Sequence, residues 1–219
     1  MSELIKIPSP GTPMLFGELG SPLVVVVHDW FGRLPSLEYF AQALSRQGFR
    51  VAVPDLYNGV ATTSSVAARG LLERLEQKDA LKRVAEAKVF GRDEGSVRVG
   101  VVGFASGGRL ALLEAQSGSI DAVVAYYASV NANDHGVIPC PVQLHLADHD
   151  RWSAGESPDA FIQRLESHGT PVSHFSYDDT QHGFANATLH RQVNPTAASL
   201  AFARTALFLQ QHLQASEQG

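Results

Sequence analysis

Short runs rich in apolar residues alternate along this chain with stretches whose apolar residues recur at helical spacing. The short runs predict β-strands at residues 23–28, 50–54, 97–104, 122–127, 141–146 and 172–177, and those at 23–28, 97–104 and 122–127 have the pattern of buried strands. The helical spacing predicts helices at residues 36–47, 158–168 and 195–213, one directly after Gly108, and two between residues 66 and 90 with a break near 77–79. This alternation predicts an α/β fold with a mostly parallel central sheet and helices on both faces.

Five stretches carry weaker signals. Residues 3–7 and 13–19, separated by prolines and a glycine, predict a short hairpin or edge strands. Residues 60–66 and 91–95 are predicted as loops because small, polar and glycine residues dominate them. Residues 178–186 are predicted as a loop that follows the last strand and contains His182.

Length and composition favour one domain over residues 1–219. No cofactor is predicted. The net charge of −5 provides no basic surface for nucleic acid, and the run Leu23–Val27 is too short to cross a membrane. The first residues lack the basic-then-apolar order of a signal peptide. A single cysteine, Cys140, excludes an internal disulfide and suits a reducing compartment, so the default prediction is a cytoplasmic monomer or homodimer.

The strand beginning at Val97 leads into Gly103-Phe104-Ala105-Ser106-Gly107 and then into a predicted helix. Strand, tight turn and helix around G-x-Nuc-x-G form a nucleophile elbow, in which the central residue is strained and points into an active site. Here the central residue is Ala105, which carries no nucleophile. A frame displaced by one residue would make Ser106 the nucleophile, but it loses the leading glycine.

Three positions follow three predicted strands in the order Ala105, Asp150 and His182. That order of nucleophile, acid and base is the order of the α/β-hydrolases. A histidine there accepts the proton of the nucleophile, and a carboxylate fixes its tautomer. Asp148 competes with Asp150 as the acid. The backbone N–H groups of Trp30 and Ser106 are the candidates for the oxyanion hole.

Over nearly its full length the chain resembles the dienelactone hydrolase family. The matching segments are His28-Asp29-Trp30-Phe31-Gly32, Pro54-Asp55-Leu56-Tyr57, Gly103–Gly108, Tyr126-Tyr127, Ala147-Asp148-His149-Asp150 and His182-Gly183-Phe184-Ala185. The resemblance implies an α/β-hydrolase fold and hydrolysis of an ester or lactone through an acyl-enzyme. It also implies that Asp29 supports the nucleophile from the neighbouring loop.

Two departures from the family pattern stand out. Ala105 replaces the family's cysteine, and Asn186 stands where dienelactone-specific members have an arginine that binds the substrate carboxylate. A second arginine is expected after Tyr57, and Arg69 is the only one in that stretch. These departures argue against dienelactone itself as the substrate, although the family resemblance is close.

Several further side chains are candidates for contact with a small ester or lactone. The aromatic ones are drawn from the strand ends and their loops, and Asn186 is the polar one. His145 and the aspartates and histidine of residues 148–150 lack a second cluster that would complete a metal site, so we predict none. The aromatic candidates selected for the substrate site are Phe31, Tyr57, Tyr126, Trp152 and Phe184, from a wider set that also holds Trp30 and Tyr127.

The sequence leaves two functions open. In the first, the chain has an ester or lactone hydrolase site of the Cys/Ser-His-Asp type in which Ala105 is an introduced replacement of the nucleophile. In the second, the alanine is natural and His182 with Asp150 performs general acid–base chemistry without a covalent step, or the protein only binds a ligand.

Overall fold

The structure is a computed structural model that describes residues 4–150 and 157–214. Within these residues the chain alternates between strands and helices, as the hydrophobic pattern predicts. The strands are β1 (Leu4–Lys6), β2 (Met14–Phe16), β3 (Leu23–Val27), β4 (Arg50–Val53), β5 (Val60–Thr62), β6 (Val99–Phe104), β7 (Ala122–Tyr126), β8 (Val142–His149) and β9 (Val172–Gln181). The helices are α1 (Pro35–Ser45), α2 (Ser65–Glu73), α3 (Gln77–Asp93), α4 (Ser106–Ala115), α5 (Pro158–Ser167) and α6 (Pro195–Leu213), with a short 3₁₀ helix at Ala132–Asp134.

The main sheet contains seven of these strands in the order β2-β4-β3-β6-β7-β8-β9. All neighbouring strands are parallel except β2 and β4, which are antiparallel. Because helices connect the parallel strands, both faces of the sheet are covered, and the central strands need apolar side chains on both sides. This accounts for the unbroken run Leu23–Val27, in which every residue is fully buried, and confirms the predicted fold class.

Two apolar layers hold the helices to the sheet. Buried residues of α3, α4 and α5 pack on one face, where Val25 and Val123 are central. Buried residues of α1 and α6 pack on the other face against Val24 and Val124. Since adjacent strand residues point to opposite faces, each apolar strand contributes to both layers. The carboxyl ends of the parallel strands meet at one edge of the sheet, where open α/β sheets bind ligands.

The weakly patterned stretches agree with the predictions only in part. Of the two alternatives for the N-terminal segments, edge strands are observed and a hairpin is not: β1 pairs with β5, and β2 is an edge strand of the main sheet that pairs with β4. Part of the predicted loop at 60–66 is therefore a strand, and helix α2 begins at Ser65. Each of these strands is only three residues long, too short for an alternating pattern to be visible.

The helical region between residues 65 and 93 is also arranged differently. The break between its two helices lies at residues 74–76 rather than 77–79, and α3 continues to Asp93 through part of the predicted 91–95 loop. Gly91 is a packing residue there, since a Cβ atom on it would come within 2.5 Å of the Leu23 side chain. In the described part of the chain, no helix is long and apolar enough to cross a membrane.

Candidate active site

The turn between β6 and α4 has the geometry of a nucleophile elbow. Ala105 is the single residue between the two elements, with φ 49° and ψ −115°. Residues other than glycine rarely adopt a positive φ, and such strain is typical of functional sites. The Ala105 N–H donates a hydrogen bond of 3.0 Å to the carbonyl of Tyr126, which ties the turn to the neighbouring strand.

The glycines of the elbow are required by close backbone contacts. A Cβ atom on Gly103 would lie 2.2 Å from the carbonyl oxygen of Gly107, and one on Gly107 would lie 2.2 Å from that of His28. No side chain fits at such distances. These steric limits explain why glycine occupies positions 103 and 107 of the motif, and Ala105, midway between them, lies at the tip of the turn.

The acid and the base are brought together by the last two strands. Asp150 directly follows β8, and His182 directly follows β9. The Nδ1 atom of His182 lies 2.9 Å from Oδ2 and 3.0 Å from Oδ1 of Asp150. A carboxylate accepts hydrogen bonds, so Nδ1 carries the proton and Nε2 is left as the basic nitrogen. Asp148, the competing acid, is exposed and lies 3.5 Å from His149 instead.

An irregular stretch of sheet sets this alignment. The pairing of β8 with β9 shifts register between Ala147 and His149. The buried Thr180 hydroxyl donates to the Tyr177 carbonyl at 2.6 Å and accepts from the N–H of Asp148 at 3.3 Å. These bonds hold the ends of both strands. Strand β9 continues to Gln181 and so includes the first part, residues 178–181, of the predicted loop at 178–186. Across residues 4–150 and 157–214, no three His, Cys, Asp or Glu side chains form a metal-binding group.

Asp29 lies in the loop after β3 and is almost completely buried. Its Oδ1 accepts the N–H of Phe31 at 2.9 Å, and its Oδ2 accepts Nδ2 of Asn186 at 2.9 Å. Burial raises the pKa of Asp29 to about 6, although these two hydrogen bonds and the nearby His182 act in the opposite direction. A carboxyl group with this pKa changes its charge near neutral pH, which is uncommon outside functional sites.

A cavity of about 600 Å³ opens beside the elbow. It is large enough for a small to medium organic molecule. Its wall contains five of the residues that the sequence associates with catalysis: Asp29, Trp30, Ala105, Ser106 and His182. Asp150 reaches the site through His182. Ser106 is the first residue of α4, where a helical N–H has no acceptor within the helix.

Among the predicted substrate contacts, Phe31 lies in the cavity wall, whereas four others do not. Tyr126 and Phe184 do not line the cavity, because both rings are completely buried in the core. Tyr57 packs against the His28 ring at 4.9 Å. Asn186 donates a hydrogen bond to Asp29, and its Oδ1 accepts one from the Ser36 hydroxyl at 2.8 Å. Both polar ends of its side chain are thus bonded to the protein, and it holds Asp29 in place. Trp152 lies outside the described residues.

Other wall residues were not selected from the sequence. They come from α2, α3 and α4, from the end of β7 and from the segment before α6, and they include Arg69, Gln77, Arg109, Tyr127, Leu189 and Gln192. Arg109 donates to Gln77 at 2.7 Å and to Asp134 at 2.8 Å. Arg69 is exposed on α2. Two of these residues have a signal in the sequence. Arg69 is the arginine expected after Tyr57, and Tyr127 belongs to the aromatic pair at the end of β7.

Comparison with known proteins agrees with this geometry. The model of the dienelactone hydrolase family matches residues 14–213. The chain belongs to the dienelactone hydrolase family. Family membership confirms the predicted class of ester and lactone hydrolases.

Individual relatives are distant. The chain is 26% identical to the carboxymethylenebutenolidase of Rhodococcus opacus, over 87% of this chain and 81% of that protein. It is also 26% identical to protein usf of Aquifex pyrophilus, over 89% and 90% of the two chains. The solved structure of m3DLH superposes with a TM-score of 0.79 at 19% identity, over 97% of this chain and all of that one. At that identity the structural similarity shows the α/β-hydrolase fold.

Proposed function

We propose that this site hydrolyses an ester or lactone bond by nucleophile–histidine–aspartate chemistry, with Ala105 at the nucleophile position. The observation that carries the proposal is that Ala105, at a strained elbow, shares one cavity wall with His182, whose Nδ1 is bonded to Asp150. Each group directly follows a different strand, so all three lie at the carboxyl edge of the sheet.

The proposed roles follow from the hydrogen bonds. A thiol or hydroxyl at position 105 would transfer its proton to Nε2 of His182 as it attacks the substrate carbonyl. Asp150 holds the ring and stabilises the imidazolium. The N–H groups of Trp30 and Ser106 would stabilise the oxyanion, and His182 would then return the proton to the leaving oxygen. In the second half of the reaction, His182 would accept a proton from water as the water attacks the acyl group. The proton would then pass to the atom at position 105, and the carboxylic acid would be released.

Asp29 is proposed to support the nucleophile. It lies in the same wall as Ala105, and its pKa of about 6 allows it to exist as either a carboxylic acid or a carboxylate near neutral pH. The resemblance to the family implies that an acidic residue at this position contacts the resting thiol. Asn186 would hold the carboxyl group in place through its 2.9 Å hydrogen bond.

A second candidate function is supported by the intact pair of His182 and Asp150. With Ala105 in place no acyl-enzyme can form at this position. Nε2 of His182 can still remove a proton from water or from a bound carbonyl compound. Hydrolysis by water, isomerisation or cyclisation are reactions of this kind.

The deciding experiment compares the chain as it stands with Ala105→Cys and Ala105→Ser. The substrates are 4-nitrophenyl acetate and a carboxylate-bearing ester, because Arg69 lies in the cavity wall. We expect Ala105→Cys to hydrolyse at least one ester about 10³-fold faster than the unmodified chain, and intact mass to show a transient acyl group. The double variant Ala105→Cys/His182→Ala is the control and should lose this gain.

Other outcomes redirect the proposal. If Ala105→Cys neither hydrolyses nor becomes acylated, the hydrolase proposal is wrong for this chain and the non-covalent function is favoured. If the unmodified chain is acylated, peptide mapping will identify the residue, and acylation at Ser106 would show that the frame is displaced by one position.

A further inference from the structure

Helix α2 presents one of its faces to the 600 Å³ cavity. The residues of α2 that line the cavity are separated by four, three and one positions: Ser65, Arg69, Leu72 and Glu73. With about 3.6 residues per turn, residues at this spacing share one side of a helix, and their side chains project from that side. The buried residues Ala68 and Leu71 lie on a different side. The four side chains therefore face the cavity rather than the interior of the protein.

Leu72 is the apolar member of this face, and its side chain is within reach of a bound molecule. It lies one turn after the buried Ala68, so it occupies the part of the face nearest the interior. Arg69 and Glu73 lie on the other flank of the face and are exposed to solvent. Leu72 is 37% exposed, although it is a large apolar residue in a cavity wall. The inner part of this wall is therefore apolar and accessible, and its rim is charged.

Other partly buried apolar residues continue the wall, and they belong to two separate clusters. Leu75 packs against the core cluster on the α3 and α4 side of the sheet. Trp30 and Leu189 pack against a second cluster, which contains Phe31. Because both clusters border the same cavity, a molecule that extends away from the elbow meets apolar side chains from both of them. We refer to Leu72, Leu75 and Leu189 as the leucine wall.

The charged residues around the leucine wall balance one another. Arg69 and Glu73 carry opposite charges four residues apart on the exposed flank of α2. Arg109 donates to Gln77 at 2.7 Å and to the carboxylate of Asp134 at 2.8 Å. Each guanidinium group thus has a carboxylate as its neighbour, so the rim provides little net attraction for a charged substrate. Selectivity is then expected to come from the apolar surface.

We propose that the leucine wall binds a hydrocarbon chain on one side of the substrate carbonyl, so that the site selects neutral esters with an extended apolar chain over small or anionic ones. This inference rests on the proposed function in one respect, namely that the cavity is the substrate site. A cavity of about 600 Å³ is much larger than a small ester requires, and these leucines border the remaining space. Each methylene group buried against such a wall raises the affinity about fourfold.

The first test measures binding to the unmodified protein, with Ala105 in place. The probes are the methyl ketones 2-butanone, 2-hexanone and 2-octanone, which contain a carbonyl group and no bond that can be hydrolysed. Their Kd values are measured by ligand-observed NMR. We expect the Kd to fall about threefold for each added methylene group, slightly less than complete burial provides. A Kd that does not depend on chain length, or absence of binding, would overturn the proposal.

The variant Leu72→Gln tests the residue itself. Glutamine has nearly the helix propensity of leucine, and the position is partly exposed, so the fold should be preserved. We expect the Kd of 2-octanone to rise about 3- to 10-fold, whereas that of 2-butanone should stay the same. The matched control is Leu207→Gln, at an exposed position of α6 outside the cavity wall, and it should change neither value. No rise for 2-octanone, or an equal rise for both ketones, would contradict the role of Leu72.

Kinetics of Ala105→Cys distinguish an apolar substrate from an anionic one. The substrates are 4-nitrophenyl hexanoate and 4-nitrophenyl hydrogen adipate, which have acyl chains of equal length, and only the second ends in a carboxylate. We expect kcat/KM to be about 10-fold higher for the hexanoate, because the carboxylate would lose its hydration against the leucine wall. A preference for the adipate ester would overturn the proposal and indicate an anion site at Arg69.

The side of the carbonyl that carries the hydrocarbon chain is identified with methyl hexanoate and hexyl acetate. A kcat/KM above that of ethyl acetate for the first places the chain on the acyl side, and for the second on the alcohol side. Either result supports the proposal. Rates no higher than that of ethyl acetate for both esters would count against it.

The two proposals fail in different ways. If Ala105→Cys hydrolyses none of these esters, the hydrolase function is contradicted, and the ketone Kd values of the unmodified protein and Leu72→Gln still decide whether the leucine wall binds a hydrocarbon chain. If Ala105→Cys is an active esterase but neither Kd nor kcat/KM improves with chain length, the role of the leucine wall is contradicted and the hydrolase function stands.

Discussion

Two groups of buried polar residues lie close together near the carboxyl edge of the sheet, and they are organised in opposite ways. The first is a network around the fully buried His145. Its Nδ1 is 2.8 Å from the Tyr177 hydroxyl, and its Nε2 is 3.1 Å from Gln143 and 3.0 Å from Thr205. Thr205 also bonds the Tyr126 hydroxyl. We refer to these five residues as the His145 network.

The second group is the candidate site, in which the same kinds of residues are left strained or incompletely satisfied. Ala105 and Tyr127 have positive φ values, and the Tyr127 hydroxyl is without a partner among the described residues. Asp29 is buried with a raised pKa. Burial alone therefore does not distinguish the two groups; the candidate site differs in its strained backbone, in a buried carboxyl group with a raised pKa and in one hydroxyl without a partner among the described residues.

This difference separates residues that stabilise the fold from residues arranged for a ligand. A fully bonded buried network contributes to stability and to a unique packing, whereas an incompletely bonded one reduces stability unless a ligand completes it. The His145 network joins β7, β8, β9 and α6. It thus fixes the strands whose ends carry Tyr127, Asp150 and His182. The fully bonded His145 network therefore positions the strained residues of the candidate site.

The largest expected difference between the groups is in the pH dependence of folding. Burial raises the pKa of Asp29 from 3.8 to about 6, so its contribution to stability is present below pH 4 and is lost as pH rises through 6. Burial lowers the pKa of His145 from 6.5 to about 3, so its contribution is present above pH 6.5 and is lost as pH falls. The two groups respond to pH with opposite signs.

These signs can be measured from the free energy of unfolding in urea between pH 4 and pH 8. Relative to Asp29→Asn, the unmodified chain should lose about 3 kcal/mol as pH rises across this range, from roughly two pKa units at about 1.4 kcal/mol each. Relative to His145→Gln, it should lose stability as pH falls below 6.5. If the difference in unfolding free energy between the unmodified chain and Asp29→Asn stays constant over this pH range, the Asp29 carboxyl group is equally easy to ionise in the folded and unfolded states.

A smaller effect is expected from Thr205→Val, which nearly conserves volume but removes the hydroxyl shared by Tyr126 and His145. The free energy of unfolding should fall by about 2 kcal/mol, because the Tyr126 hydroxyl becomes a buried group without a partner. Chemical denaturation at pH 7 measures this loss. The exposed Thr63, changed to valine, serves as the control and should stay within about 0.5 kcal/mol. Equal stability of both variants would contradict the role given to the His145 network.

The smallest expected effect is a gain in stability at the site. Ala105→Gly relieves a backbone conformation with φ 49° that only glycine adopts readily. We expect about 1 kcal/mol of added stability, measured by denaturation, after the greater flexibility of glycine in the unfolded chain is counted. Ala41→Gly, within α1, is the control and should lose about 1 kcal/mol. A loss at both positions would show that the elbow is not strained.

The candidate site could be predicted only in part. Asp29, Trp30, Phe31, Ala105, Ser106 and His182 were all selected from the sequence and lie in one cavity wall. They were accessible to sequence reasoning because each follows a strongly apolar strand or belongs to a motif with fixed spacing. The sequence analysis names Tyr126 as a substrate contact, whereas its neighbour Tyr127 lines the cavity wall. Which of two adjacent aromatic side chains at a strand end faces the cavity depends on the local backbone conformation, which the sequence does not show.

Asn186 shows a second limit. The sequence placed it at the substrate because of its position in the family pattern, whereas the structure shows it bonded to Asp29 and Ser36. Which of two neighbouring polar groups an amide contacts depends on side-chain geometry across more than a hundred residues of sequence separation. Arg69 and Arg109 illustrate the same point, since their helices become cavity walls only through packing.

The sequence by itself determined the α/β class, the positions of the buried strands along the chain, the elbow around Ala105 and the chain order of Asp150 and His182. These depend on local patterns: apolar runs that must be buried on two faces, and glycines where two backbones touch. Only the tertiary structure decided the pairing of the short strands β1, β2 and β5, the residues that enclose the cavity, and which buried hydroxyl is satisfied. Those features depend on contacts between segments that are distant in sequence, and a local pattern carries no information about their partners.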